Sequence, residues 1–479
     1  MTRGWRKRLL CAAAAVGMLF PTAHGEGITL DARLDAYEAF AADGSVQLHT
    51  EFLTGADSAV HAAEAVRLQL NAMTEAQKAN PADVDQASAF AEEAIAAVAR
   101  KRVEGPEIHI SRESTAELLQ SAALTGTEVE AALRTGGVSV HRDLSRTVVF
   151  VTDRSEFAIV VHSDILETLA DRIRVERTGT PPFAVTIRPG DLKKELQPPG
   201  LEPTPRTVRI VVREKGDAFE PGTDVPVPAV EVEVPEGQIS APVTLSLYPG
   251  SAEPSSLLIE GRNGEDSASR YNPATRTLDA RVDATDVYTF GRGSVKFPDL
   301  VGKNGKLCAA VEALSRVNVV YGYADSTFRP DSSVTRAEFV AFVMRALGRV
   351  NNSLKAPFED VTQSSACYHE IASAYDYGII NGYDALHFRG DLPISKTQIY
   401  AIVGRILTRE MKYHPPADPA GYLAGEYQDL VAAWAQADVA LATREGLVIR
   451  QEDGRFNGGI SMNRGDVALI IYGLYQRLA

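Results

Sequence analysis

Cysteine is scarce, with Cys11, Cys308 and Cys367 the whole supply in 479 residues, and no Cys-x-x-Cys or mixed Cys/His spacing joins them. A disulfide scaffold and a zinc site of the usual spacing are both excluded. The nine histidines form neither a His-x-x-x-His pair nor a His-Glu-x-x-His motif, which removes zinc-protease chemistry. No Gly-x-Ser-x-Gly elbow or phosphate-binding Gly-x-x-x-x-Gly-Lys loop occurs, and no pair of acids stands out for glycosidase work. Positive charge is in deficit: 49 Lys and Arg against 63 Asp and Glu give a formal −14. Nucleic acid is therefore not an expected partner, since phosphate contacts are made largely by Lys and Arg. Composition is otherwise ordinary for a globular chain, at 45% hydrophobic and 23% charged, and the length predicts about three domains.

Long apolar runs are also missing. The run from Leu9 to Phe20 is too short to span a bilayer, and later stretches do not reach 18 uncharged apolar residues. With Arg3, Arg6, Lys7 and Arg8 before it and Ala23-His24-Gly25 after it, residues 1–25 read as a secretory signal. Cleavage leaves 45 bases against 63 acids, a formal −18, and an exported chain with no membrane span.

Residues 26–105 are rich in Ala, Glu and Gln. Ala59, Ala63, Val66, Leu70 and Met73 recur at helical spacing, and Val84, Ala87, Ala91, Ile95 and Val98 repeat the pattern after Asn80-Pro81. A helical hairpin is expected, with Glu92, Glu93 and Arg100 on solvated faces. Residues 106–200 turn to β-rich stretches (Ile108 and Ile110, Val138 to Val140, Thr147 to Val151, Ala158 to Val161) and a Ser163-Asp164 helix cap, predicting a small α+β unit. It ends in a linker crowded by Pro198, Pro199, Pro203 and Pro205. Short strands punctuated by Pro, Gly and Asn then predict an Ig-like β-sandwich over 206–293.

The last 183 residues hold an internal repeat. Phe328, Phe388 and Phe456 are each followed eight residues later by a cation, Arg336, Lys396 and Arg464. Upstream, Phe297, Phe358 and Tyr427 each precede an aspartate by two positions, at Asp299, Asp360 and Asp429. Three helix-loop-helix units follow, at 297–350, 358–410 and 422–479.

These units resemble the S-layer homology family, through Gly322-Tyr323-Ala324-Asp325-Ser326-Thr327-Phe328-Arg329-Pro330 and Val334-Thr335-Arg336-Ala337-Glu338 in the first. The second keeps Gly382-Tyr383 and Phe388 but departs at Ile394-Ser395-Lys396-Thr397-Gln398. The third keeps Trp434, 22 residues before Phe456, and reads Asn463-Arg464-Gly465-Asp466. The resemblance implies an all-α pseudo-threefold module that binds acidic, pyruvylated secondary wall polysaccharide and holds the chain non-covalently on the cell surface. It carries the binding role to Arg336, Glu338, Lys396, Trp434, Arg464 and Asp466. An arginine fork at a helix start, beside free backbone N–H groups, suits a carboxylate, and a tryptophan covers a sugar face. The alternative for each arginine is a structural pair with Glu338 or Asp466. Unequal sites are expected, with Arg336 and Arg464 strong and Lys396 weak, because lysine lacks the fork. Residues 242–290 resemble β modules that precede such repeats, implying a spacer.

The chain thus reads as a multidomain, non-enzymatic surface protein without a cofactor: a helical and α+β region displayed outward, a β-sandwich spacer and a wall-binding module. The competing reading is an anchored enzyme or substrate-binding protein with its activity in residues 26–200. Arg389-Gly390-Asp391 and Arg464-Gly465-Asp466 occupy different places in their repeats, so adhesion through them is not inferred. Cys308 and Cys367 stand near equivalent helix starts and are either bonded or two free thiols.

Overall fold

The computed structural model describes residues 58–478 except 179–181, 198–205 and short connections between 216 and 295, together with two-residue strands at Tyr37–Glu38 and Gln47–Leu48. The leader read at 1–25 lies outside the described residues.

Helices α1 (Ser58–Ala72) and α2 (Pro81–Val98) form where the stripes predict them, and Ala63, Val66, Leu70, Ala87, Ala91 and Ile95 are buried. Asn80 caps α2 by accepting the Ala82 N–H, 3.1 Å away, and Pro81 fills the first position, where no donor is needed. Strands β1 (Arg100–Arg102) and β2 (Glu107–Ile110) lead to α3 (Arg112–Thr135), a 24-residue helix that the β-rich reading of this region did not single out. Its small and polar residues dilute the 3.6 period, but Leu118, Ala122, Val129, Ala132 and Leu133 still make one buried face. Two local expectations fail. Val138 to Val140 makes no strand, and Ser163–Glu167 is a single 3-10 turn whose cap position makes no side-chain hydrogen bond. Glu92 and Glu93 are not on a solvated face either. Glu92 is buried and accepts from Arg142 and from Ser145 N–H (2.9 Å), while Glu93 takes a two-pronged Arg174 at 3.0 and 2.6 Å.

Besides a two-residue pair at Ala218–Phe219 and Pro226–Val227, the further strands are β3 (Thr147–Thr152), β4 (Glu156–His162), β5 (Arg172–Arg177), β6 (Phe183–Ile187), β7 (Thr207–Glu214), β8 (Val230–Glu233), β9 (Val243–Leu247), β10 (Leu258–Gly261), β11 (Asp266–Ser267), β12 (Ser269–Asn272), β13 (Thr277–Val282) and β14 (Asp286–Gly291). They make two seven-stranded sheets, ordered β11-β10-β14-β8-β7-β4-β2 and β12-β13-β9-β6-β5-β3-β1. Parallel pairs β2/β4, β1/β3 and β3/β5 come first, and antiparallel strands extend both sheets. The strands expected at 206–293 form, but they do not close a sandwich of their own. β7 pairs along β4 from Thr207↔His162 to Arg213↔Glu156, and β9 pairs with β6. Pairing therefore runs across the proline-rich stretch near 200 rather than stopping there. The physical reason is edge satisfaction: β4 and β6 would otherwise expose open ladders, and β7 and β9 fill them. Phe157 of one sheet stacks on Phe183 of the other with ring centres 6.4 Å apart, and both inner faces share one core with the three helices.

The C-terminal third is helical: α4 (Gly305–Arg316), α5 (Arg336–Ala346), α6 (Tyr368–Asp376), α7 (Lys396–Met411), α8 (Pro419–Glu426), α9 (Gln436–Arg444) and α10 (Arg464–Tyr475), around a second core. This module is not held off by a spacer. Glu410 of α7, its side chain 1% exposed, accepts from Arg188 (2.5 Å) and Arg281 (3.0 Å) of the β unit, from Arg349, and from the Tyr377 hydroxyl (2.8 Å). Arg349 also pairs with Asp191 at 2.9 Å. Burial alone would raise the Glu410 pKa, but three guanidinium groups outweigh it and hold the carboxyl well below its ordinary range. A second seam joins Asp85 to Arg477 (2.9 Å) and to Tyr413, and Tyr475 to the Ser269 carbonyl. Cys308 and Cys367 are both free. The Cys308 thiol donates to the Leu300 carbonyl at 3.3 Å, and burial pushes Cys367 up to about 11.

Candidate functional site

Each repeat is built on the same clasp. Asp299 accepts the N–H groups of Phe328 and Arg329 at 3.0 and 2.7 Å, Asp360 those of Phe388 and Arg389 at 2.8 and 2.7 Å, and Asp429 those of Phe456 and Asn457 at 2.6 and 2.9 Å. The two donors point one way because Arg329, Arg389 and Asn457 sit in the left-handed region, with φ of 57, 56 and 54°. The aromatic two residues before each aspartate lies beside the loop phenylalanine: Phe297 on Phe328, Phe358 on Phe388, Tyr427 on Phe456, with ring centres 5.4 to 5.6 Å apart. At Asp360, partial burial is outweighed by the two backbone donors, and the carboxyl stays below its usual pKa.

The loop leads into a capped helix. Thr335 and Glu338 close a reciprocal capping box, and Ser395 and Gln398 close the same one, so the departure at Lys396-Thr397-Gln398 leaves the helix start intact. In the third repeat Asn463 caps alone, accepting the Asp466 N–H at 2.7 Å.

Three cations and three loops make a closed ring. Arg336 of the first repeat lies over Phe388 of the second (4.6 Å) and donates to Asn381 O (2.7 Å). Lys396 of the second lies over Phe456 of the third (5.1 Å) and donates to Ile449 O (2.9 Å). Arg464 of the third lies over Phe328 of the first (4.8 Å) and donates to Tyr321 O (2.7 Å). The backbone follows: Arg336 N–H donates to Leu392 O, Lys396 N–H to Ile460 O and Arg464 N–H to Ser332 O, each at 2.9 Å. The next N–H groups donate to Gly390 O, Gly458 O and Pro330 O. The helix-start donors expected to be free for a carboxylate are therefore engaged by the neighbouring repeat.

The side chains differ in what balances their charge. Arg464 is buried and carries three hydrogen bonds, to Phe328 O (2.9 Å), Tyr321 O and Glu338 (3.2 Å). Its acid is Glu338 of the first repeat, not the adjacent Asp466. Burial lowers the Lys396 pKa, against the pull of Asp429 and Asp466, and burial raises that of Asp466. Arg336 has no carboxylate within ion-pair distance among the described residues, and its Nε is buried without a partner. Burial, with Arg405 nearby, pulls Arg336 down to about 10. The reason is positional: where Arg464 meets Glu338 and Lys396 is drawn by Asp466, the equivalent residue for Arg336 is Gln398.

Trp434 stands 59% exposed in the turn Ala433–Ala435, away from the rings that surround Arg464, which are Tyr323, Phe328 and Phe342. The residue pattern had not singled out two exposed pairs, Arg329 over Tyr323 (4.0 Å) and Arg389 over Tyr383 (4.1 Å). Their signal is an arginine directly after the loop phenylalanine; the third repeat has Asn457 there, bonded to Gln451 at 2.5 Å.

Residues 296–340 and 357–398 match the S-layer homology domain family. The third unit, outside those matches, has the same clasp by geometry. Over 169 residues, 34% of this chain and 35% of the relative, the chain is 29% identical to a cellulosome-anchoring protein of Acetivibrio thermocellus. It is 32% identical to a cell surface protein of Thermoanaerobacter kivui over 34% of this chain and 19% of that one. An amylopullulanase of Thermoanaerobacterium thermosulfurigenes is 29% identical over 35% of this chain and 9% of its own length. The chain thus spans a small part of the curated relatives it matches. With two matched segments and this geometry, the chain is a protein carrying S-layer homology domains.

Proposed function

We propose that the helical module at residues 297–479 anchors the protein non-covalently to acidic polysaccharide of the cell wall, and that Arg336, between the first and second repeats, receives the acid. The location is the cell surface, in keeping with the S-layer homology domains and with the anchoring and surface proteins they resemble. One observation carries the choice of groove: among the described residues, Arg336 alone of the three ring cations has neither an ion-paired acid, as Arg464 has in Glu338, nor acids drawing on it, as Lys396 has in Asp429 and Asp466. A glycan carboxylate, such as a pyruvate ketal, supplies that balance, and the neighbouring Tyr383, 56% exposed, offers a face for a sugar ring. Trp434 and the Arg329 and Arg389 pairs supply further contact along the module's surface. The role proposed for the whole chain is structural, as a surface component held by its repeats. Activities named for the amylopullulanase and other enzymes are not carried over, because those matches are partial and run through S-layer homology regions.

The test uses the full chain and purified wall sacculi. Arg336→Gln is expected to weaken sacculus binding at least tenfold while leaving the unfolding midpoint within a few degrees, the size of one charge-assisted contact. Unchanged binding by that variant would reject the assignment of the groove, and no binding by the native chain would reject the anchor itself.

A further inference from the structure

The outer face of the sheet β12-β13-β9-β6-β5-β3-β1 is polar yet covered. Along its register Arg281 stands beside Thr244 and Thr186, and Asp279 beside Ser246. Helix α2 covers one end of this face and the repeat module, through Leu347, Tyr475 and Leu478, covers the other. Two adjoining cavities remain in the seam, of about 540 and 580 Å³. Most arginines here have an acid: Arg142 has Glu92, Arg174 has Glu93, Arg188 and Arg281 have Glu410, and Arg477 has Asp85. Two make no ion pair among the described residues. Arg270 of β12 lines both cavities beside Asp279, its cross-strand neighbour on β13; among the described residues it donates to Tyr475 O at 3.4 Å and leaves its Nε buried without a partner. Burial pulls its pKa down to about 10, against the pull of Asp279. Arg316 of α4 lines the larger cavity, its Nε likewise buried and unpartnered, with no ion pair among the described residues. Neither is explained by the wall-binding groove, and both face the same space.

We propose that this seam is a second ligand site, for a small saccharide bearing a carboxylate or phosphate. Two buried guanidinium groups that make no ion pair among the described residues, with only Asp279 near Arg270, favour an anion, because a poorly compensated buried cation is costly and a forked donor fits an acid oxygen pair. The polar wall is suited to the rest of such a ligand: Thr186, Thr244 and Ser246 offer hydroxyl partners, Tyr248 offers a ring, and Asp279, which accepts from Thr277 and Asn272, offers an acceptor for sugar hydroxyls. The volume suits one or two sugar rings. Arg270 belongs to the β unit and Arg316 to the repeat module, so a ligand between them ties the two together. The site is separate from the Arg336 groove and does not depend on it.

Calorimetric titration of the full chain with D-glucuronate, D-glucose 6-phosphate, D-glucose and inorganic phosphate tests this. At least one of the two acidic sugars is expected to bind saturably, tenfold or more tighter than glucose and than inorganic phosphate, and to raise the unfolding midpoint. Arg270→Gln and Arg316→Gln should each weaken it at least tenfold, while Arg336→Gln leaves it unchanged. Arg316→Lys, which keeps the charge but not the fork, provides a folded comparison if either glutamine variant misfolds, and should also bind more weakly. No saturable binding by either acidic sugar, equal binding of glucose or inorganic phosphate, or indifference to all the arginine variants overturns the proposal. Sacculus binding by the Arg270 and Arg316 variants should stay at the native level, which separates this site from the anchor.

Discussion

The difference between Arg336 and Arg464 lies in one neighbour. Both start a helix and both cover the phenylalanine of the next loop, but Glu338 meets Arg464 at 3.2 Å and no acid meets Arg336. Removing one partner of a buried pair typically costs about 3–5 kcal/mol, so Arg464→Gln should lower the full-chain unfolding midpoint strongly, whereas Arg336→Gln should act on glycan binding. Thermal unfolding and sacculus binding of the two variants, side by side, check the division; matching stability losses would contradict it. Asp438 gives a pH-dependent case. Burial raises its pKa to about 6, against the pull of Arg405 3.6 Å away. A carboxyl raised in the fold is favoured when protonated, so its ionisation destabilises as pH rises from about 4 through 6. Asp438→Asn should therefore add about 1–2 kcal/mol at pH 7 and nothing near pH 4, a difference that denaturant titrations at both pH values will show. Residue types and spacings were enough to mark the three cations. Which of them keeps an unbalanced charge was not legible, because the residue facing each cation comes from a different repeat, far along the chain.

Between elements, the repeats fit by matching small residues to large ones. The residue after each cation packs on the loop residue two after the phenylalanine: Ala337 on Gly390, Thr397 on Gly458, and Gly465 on Pro330. A β-carbon on Gly465 would lie 3.3 Å from both the Pro330 Cβ and its carbonyl oxygen. This glycine, which by propensity alone weakens the helix start by about 1 kcal/mol, is thus the counterpart of a proline. Helices α7 and α9 meet still more closely at Gly404, where an added β-carbon would overlap the Asp438 backbone. Gly404→Ala should cost about 1–3 kcal/mol despite alanine's better helix propensity, measured by chemical denaturation. A gain in stability would mean that the helices separate freely. The amphipathic stripes of α1 and α2 and the strands from Val208 to Phe290 were readable because their periods were clean. Helix α3 was not, since Ser, Thr and Gly interrupt its apolar face.

At the scale of the whole molecule, the repeat module and the β unit are joined through Glu410. Its depressed pKa means that it stabilises the fold above the ordinary carboxylate range and loses that contribution as pH falls below about 4.5 through its folded value. Glu410→Gln leaves Arg188, Arg281 and Arg349 sharing a neutral acceptor; a loss of about 3–5 kcal/mol is expected, with differential scanning calorimetry showing one transition in the native chain and two in the variant. Two transitions in the native chain at pH 7 would show that the seam does not couple the parts. By itself the sequence determined the threefold repeat, its aspartate and phenylalanine landmarks and the capped helix starts, because each is a local pattern that a short stretch of chain expresses alone. Tertiary structure decided the merging of strands on both sides of residue 200 into common sheets, the ring of cations, and the seam around Glu410. Those rest on ladder edges and buried charges that must find partners wherever the fold brings them, and no local spacing records that choice.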